Sequence, residues 1–343
     1  MRGDLTLDPS LDWSADPGLA RGLGSTLAPR PGLQARRSPG CSTAGAAPVA
    51  TPVAAPAFCH AIARHAIRSL YAELTLYPKP GLVSLVDNGS HTDMTAATFM
   101  RSLFALRHYF GHITRAGMEG APFARLKHLG IEAEARMLQA TGGVNTHRGA
   151  VFCLGLLCAA IGQCHARGMA LTPAAIRACL LLRWADALAA HTDPGASDSY
   201  GARVARRHAV GGARQEAALG LPAVFELALP VLRSTLAGGR GRRYARVDAL
   251  FALMAHISDT NLYHRGGAEG ALTVRRHAQA FVARGGTARP DWEAHALAIH
   301  RAFVAVRLSP GGAADLLAAA CLVHDVCQAQ GGSSRNDAYA SED

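Results

Sequence analysis

The chain is poor in aromatic residues, with only 6% Phe, Trp and Tyr, and none of its eight cysteines forms a Cys-x-x-Cys pair. The first shortage, beside abundant alanine, favours closely packed helices over sheets. The second removes the usual signature of a structural zinc or redox site. It leaves scattered thiols, expected to be reduced core filler in a cytoplasmic protein. No Gly-Lys-Ser/Thr follows a glycine-rich stretch, which excludes a Walker loop. No window of about 18 uninterrupted apolar residues marks a membrane span, and no basic start leads into an apolar secretory signal. No run alternates with period two, so no strand is expected, and no fixed repeat suggests a solenoid.

What is present is a chain of 343 residues, 49% hydrophobic, enough for a large domain with its own core. Residues 1–56 are rich in Gly, Pro, Ala, Ser and Arg, without sustained period, and are expected to form a disordered extension. Helical patterning over 57–332 predicts a single all-α catalytic domain, with 333–343 as a flexible tail. The stripe Phe58, Ile62, Ala66, Leu70 and Leu74 predicts a first helix, stopped by Pro78 and Pro80. A second is expected to open with Thr92 as N-cap and run through Phe99, Leu103 and Leu106. Later helices are expected over 124–139, 148–166, 173–190, 202–218, 222–236, 244–258, 269–282, 291–306 and 313–329.

The net charge is +10, and the first 56 residues hold five Arg against four Asp, leaving +9 for the remainder. No basic arm concentrates this charge. A pocket for a highly anionic small molecule accounts for it better than nonspecific affinity for nucleic acid.

Four polar, glycine-containing stretches separate the apolar helical runs. Such loops at helix starts suit phosphate, and carboxylates beside them suit a divalent cation. In the first, Lys79 sits between two prolines as a point charge for phosphate, with Glu73 at the mouth of the loop. Asp87 and Asp93 bracket Asn88 to Thr92, a short loop able to wrap a hard cation; turn formation and helix-dipole compensation are the plainer roles. In the second, Gly142 and Gly143 free backbone amides to face a ligand, and Asn145, Thr146, His147 and Arg148 follow at a helix start. In the third, Asp259 and Asn261 precede His264, Arg265, Gly266 and Gly267, a candidate phosphate clamp, with Asp259 open to a cation or a hydroxyl. In the fourth, Ser309, Gly311 and Gly312 open the last helix, with Asp315 in its first turn. His108 and His112 have helical metal spacing but no third ligand, which argues against zinc.

These motifs, in this order, resemble those of the triphosphoribosyl-dephospho-coenzyme A synthases. The resemblance runs from about Leu70 to Leu322 and is carried by residues 77–83, 88–94, 141–149, 211–214, 259–261, 264–267 and 309–312. The run Ser90-His91-Thr92-Asp93-Met94 is most similar to the malonate decarboxylase branch; the other branch serves citrate lyase. The resemblance implies that ATP and 3'-dephospho-coenzyme A give 2'-(5''-triphosphoribosyl)-3'-dephospho-coenzyme A and adenine. It also implies an indirect link to a holo-acyl-carrier-protein synthase and the decarboxylase carrier subunit, and no membrane or nucleic-acid partner. Tyr200 and the pair His208-Ala209 depart from the family pattern.

That chemistry suggests roles for the candidates. Mg2+ held by Asp93 and Asp259 would neutralise the triphosphate, assisted by Lys79, Arg148 and Arg265. Glu73 or Asp87 would accept the nucleophile's proton, and His147 or His264 would protonate the departing adenine. A magnesium-dependent helical nucleotide hydrolase and a basic helical nucleic-acid-binding protein are the competing readings.

Overall fold

A computed structural model describes residues 55–191 and 212–339. The expected extension, Tyr200, the pair His208-Ala209 and most of the helix expected over 202–218 lie outside these residues. Among the described residues every regular element is helical and no strand occurs. In chain order the helices are α1 (Ala55–Leu74), α2 (Ala96–Leu106), α3 (Tyr109–Met118), α4 (Phe123–Thr141), α5 (Arg148–Ala166), α6 (Pro173–His191) and α7 (Ala213–Ala218). A π-helical turn, Ala223–Ala228, then continues into α8 (Leu229–Ala237), followed by α9 (Arg242–His256), α10 (Thr260–Ala283), α11 (Trp292–Ala305) and α12 (Gly311–Tyr339).

The bundle is organised around α5. Every residue from Arg148 to Gln163, and Cys164 after it, is buried, so this helix has no polar face to offer water. It is the one described helix long and apolar enough to cross a membrane, but α3, α4, α6 and α12 pack around it instead. Glycine permits the closest of these approaches. A Cβ at Gly117 of α3 would collide with the Ala159 backbone, and one at Gly162 of α5 with the Thr114 carbonyl. Seven thiols, at positions 59, 153, 158, 164, 179, 321 and 327, are free, and all but Cys327 are buried.

Four expectations need correction. The second helix starts later, because the capping box is built by Thr95 and Thr98 rather than by Thr92. Residues 109–118 form a separate helix, α3. The stretch after Asp259 is not an open loop: α10 begins at Thr260 and is broken by Gly267, at φ 62° and ψ −161°, a conformation open to glycine. The last helix, expected over 313–329, continues to Tyr339.

The α3–α5 contact gives a direct test. Gly162→Ala should lower unfolding stability by roughly 1–3 kcal/mol through overpacking, read as a lower urea midpoint at unchanged slope. An unchanged midpoint would mean that the two helices separate freely.

Candidate active site

The four polar stretches converge on one cavity of about 470 Å³. Its walls are the end of α1, the loop from Lys79 to Met94, the α4–α5 turn, the first turns of α10 and the start of α12. Of the candidates, Glu73, Lys79, Asp93, Gly142, Gly143, Asn145, His147 and Arg148 line it from the first half of the chain. Asn261, His264, Arg265, Ser309 and Gly311 line it from the second. Asp87, Asp259, Gly266, Gly267 and Gly312 do not.

The N-terminus of α5 forms one wall. Asn145 Oδ1 accepts from the Arg148 amide at 3.2 Å, capping the helix in its first turn. Arg148 is buried and ion-paired with Glu134 of α4 at 3.3 Å. His147, 2% exposed, places Nδ1 2.7 Å from Ser102 Oγ. Its Nε2 and the Thr146 hydroxyl are buried without a protein partner. Such atoms each cost about 1–3 kcal/mol unless something bonds them. Burial, then the Lys79 charge, depress the imidazole to about 3. His147 is therefore neutral at ordinary pH and can offer a hydrogen bond, but not an imidazolium proton. Gly142 and Gly143 have a different role from the one expected. Both amides donate to the Leu138 carbonyl and close α4, so they do not face the cavity as ligand donors.

On the opposite side, Lys79 Nζ donates to Glu73 Oε1 at 2.6 Å and to the Glu73 carbonyl at 2.9 Å. Burial lowers the ammonium's pKa while the Glu73 charge raises it. The lysine is thus fixed inside the protein rather than extended into water. His91 joins three of the four stretches. Its Nε2 lies 2.8 Å from Ser309 Oγ and its Nδ1 3.1 Å from Arg265 Nη2. Burial and Arg265 depress it to about 4. With Nδ1 accepting from arginine, the ring proton sits on Nε2 and points at Ser309.

Asp259 lies at the start of α10 and is 4% exposed. One carboxylate oxygen accepts from the Asn261 amide at 2.9 Å and the other from the Gly312 amide at 2.7 Å. The N-termini of α10 and α12 are thereby fastened to one side chain. Burial raises its pKa to about 6, and the amide hydrogen bonds oppose the rise. A Cβ on Gly312 would crowd this carboxylate at 3.0 Å, and Gly266 packs against Leu308 instead of a ligand. Asp87 accepts from the Gly89 amide at 2.8 Å and lies 3.4 Å from His300 Nε2. Of the two expected proton acceptors, only Glu73 lines the cavity.

Asp259 lines a second cavity, while Asp93 stands half-exposed at the first. Among the described residues no group of three or more His, Cys, Asp or Glu could hold a metal alone. Mg2+, however, commonly uses one or two carboxylates together with substrate phosphates and water, and Asp93 meets that smaller demand. Sequence reasoning gave no role to Ser102 or Glu134 and no specific one to His91 or Asp315. The burial of Glu134 was hinted at by its place beside Gly130, Ala133 and Met137 on one α4 face. No local signal marked Ser102.

The depressed histidines bear on stability. A His with a folded pKa below its unfolded value of about 6.5 contributes stability above that value and loses it as pH falls towards the folded pKa. With His147 at about 3, His147→Gln should lose less stability than the parent between pH 7 and pH 5, by urea midpoints. Equal losses would place the imidazole in contact with water.

Residues 59–334 match the family model described as CitG: ATP:dephospho-CoA triphosphoribosyl transferase. A protein of Pectobacterium atrosepticum named 2-(5''-triphosphoribosyl)-3'-dephosphocoenzyme-A synthase is 39% identical over 264 residues, 75% of this chain and 86% of that protein. Relatives named as probable synthases of the same kind occur in Acinetobacter calcoaceticus, 37% identical over 75% of this chain and 90% of that protein. Another occurs in Pseudomonas aeruginosa, 41% identical over 76% of this chain and 88% of that protein. No solved structure matches the chain. The cavity thus lies within the region matched by the family model, and the chain belongs to the ATP:dephospho-CoA triphosphoribosyl transferase family.

Proposed function

We propose that this transferase moves the 5-triphosphoribosyl group of ATP to the ribose 2'-hydroxyl of 3'-dephospho-coenzyme A, releasing adenine. The observation that carries the reading is the wall at the N-terminus of α5. There the Thr146 hydroxyl and His147 Nε2 are buried without a protein partner, beside Arg148 and across from Lys79 and Arg265 in the same cavity. A helix N-terminus with unspent donors among fixed cations suits a chain of phosphates.

The reaction makes three demands. The triphosphate is held by Lys79, Arg148 and Arg265, with Asp93 as the carboxylate that would hold Mg2+, a counter-charge for the phosphates when bound. The 2'-hydroxyl is aligned with the anomeric carbon, where positioning lowers the barrier. Positive charge develops on the ribose as the glycosidic bond stretches, and carboxylates nearby stabilise it. Glu73, ion-paired with Lys79 at 2.6 Å, is the acceptor for the hydroxyl proton. The product serves as prosthetic-group precursor for a cytoplasmic carrier protein, taken here as that of malonate decarboxylase on the Ser90–Met94 run. A holo-acyl-carrier-protein synthase would complete the transfer.

Incubation with ATP, Mg2+ and dephospho-coenzyme A should release adenine, followed by chromatography, only when the acceptor is present. Adenine release without the acceptor would indicate a hydrolase instead. Thr146→Val should raise the KM for ATP about 10- to 150-fold, the loss of one hydrogen bond to a charged group, with little change in melting temperature. An unchanged KM would remove the α5 N-terminus from the phosphate site.

A further inference from the structure

A second cavity, of about 530 Å³, adjoins the first. Gly149, Asn261 and Asp315 line both, so these three residues form the common wall. The two chambers differ in charge. The first is lined by Lys79, Arg148 and Arg265 together with Glu73, Asp93 and Asp315. The second has no lysine or arginine among its described lining residues, and its charged side chains are Glu216, Glu226, Asp259 and Asp315. Leu221, Pro222, Leu227, Ile257 and Leu316 supply apolar surface. Arg177 is ion-paired with Glu226 at 2.6 Å.

A phosphate chain is repelled by such a chamber. A flat, uncharged heterocycle with amino and ring-nitrogen groups suits it, since apolar walls cover its faces and carboxyl groups meet its edge. We propose that the second cavity takes the adenine base of the nucleotide donor, and that Asp315 on the common wall protonates the base as it leaves. This rests on the transfer reaction proposed above.

The bond changes balance. The acceptor's 2'-oxygen bonds to the anomeric carbon as the bond from that carbon to adenine breaks. The electron pair of the broken bond stays on the base. Asp315 gives its carboxyl proton to the base, and Glu73 takes the proton of the 2'-hydroxyl. Proton exchange with solvent then restores both groups.

The surroundings suit Asp315 to be the acid. Glu73 from α1 and Asp259 from the start of α10 face it with like charge, Cys153 of α5 lies close, and the Ala150 amide donates to its carboxylate. Burial first, then the two neighbouring carboxylates, push its pKa well above the usual carboxylate range. His147, the imidazole on the same side, is held neutral at about 3 and is not available as a cationic acid. The proton donor is thus assigned to a carboxyl group at the wall where the two chambers meet.

The test compares two donors. With ATP, Asp315→Asn should lower kcat about 10²- to 10⁴-fold, the range for loss of a general acid, with the KM for ATP within about threefold. With N7-methylated ATP, whose base leaves as a neutral molecule without protonation, variant and parent should turn over within a few-fold of each other. An equal loss on both donors, or a parent-like kcat on ATP, overturns the acid role. If the variant does not fold, calorimetry of free adenine against the parent still decides the chamber: binding in the presence of tripolyphosphate, lost in Leu227→Trp, supports it. No binding to the parent, or equal binding to Leu227→Trp, overturns it. A parent that releases no acceptor-dependent adenine defeats the transfer reaction itself; a turning-over parent matched by Asp315→Asn defeats only the present inference.

Discussion

The Asp259 carboxylate is the constraint on which the site geometry depends. Its two oxygens accept from the Asn261 and Gly312 amides, the first from its own helix and the second from a segment 53 positions away. Each is an otherwise orphaned donor at a helix start, and a carboxylate there also complements the helix dipole. One buried side chain therefore sets where α10 and α12 begin relative to each other. Arg265, Ser309 and Asp315 follow from those two starts. The requirement also explains Gly312, since any side chain there would press on the carboxylate.

A second organising principle is the division of charge between two chambers. Polyphosphate chemistry needs cations, and departure of a purine needs an acid. Cations and carboxylates share the first cavity, whereas the described charged residues lining the second are carboxylates alone. The wall of Gly149, Asn261 and Asp315 separates the requirements by the width of a side chain. Arg148 and Lys79 are each paired with a glutamate, Glu134 and Glu73. The cations are thus fixed in position, at the cost of some of their charge.

How much of this was legible in the sequence depended on range. The bounds of α5 were readable, because its apolar run begins after a polar turn and ends at a charged one. Helix α3 was not anticipated: the second helix was expected through Leu106 and the next from 124, and residues 109–118 between them were assigned to no element. Asp259 was recognised as special, but its amide partner on Gly312 is invisible to local spacing. The glycine pair at 142 and 143 was read as a ligand cradle; a helix C-cap uses the same residues, and only the direction of the amides separates the two. The convergence of four distant stretches followed from the family resemblance and from the chemistry they share. Which stretch faced which chamber required coordinates.

The interlocked glycines of α3 and α5 carry a consequence for movement. Where Gly117 rests on Ala159 and Gly162 on the Thr114 carbonyl, neither helix can slide along the other without backbone collision, so the phosphate-facing end of α5 behaves as an anvil. Gly267, in contrast, interrupts α10 at a point where an added Cβ would meet nothing. The segment before it, from Thr260 to Gly266, is tied to the start of α12 by the Asp259 carboxylate and lies against Leu308. The cavity is thus gripped from both sides, by locked backbone at α5 and by a carboxylate tether at α10.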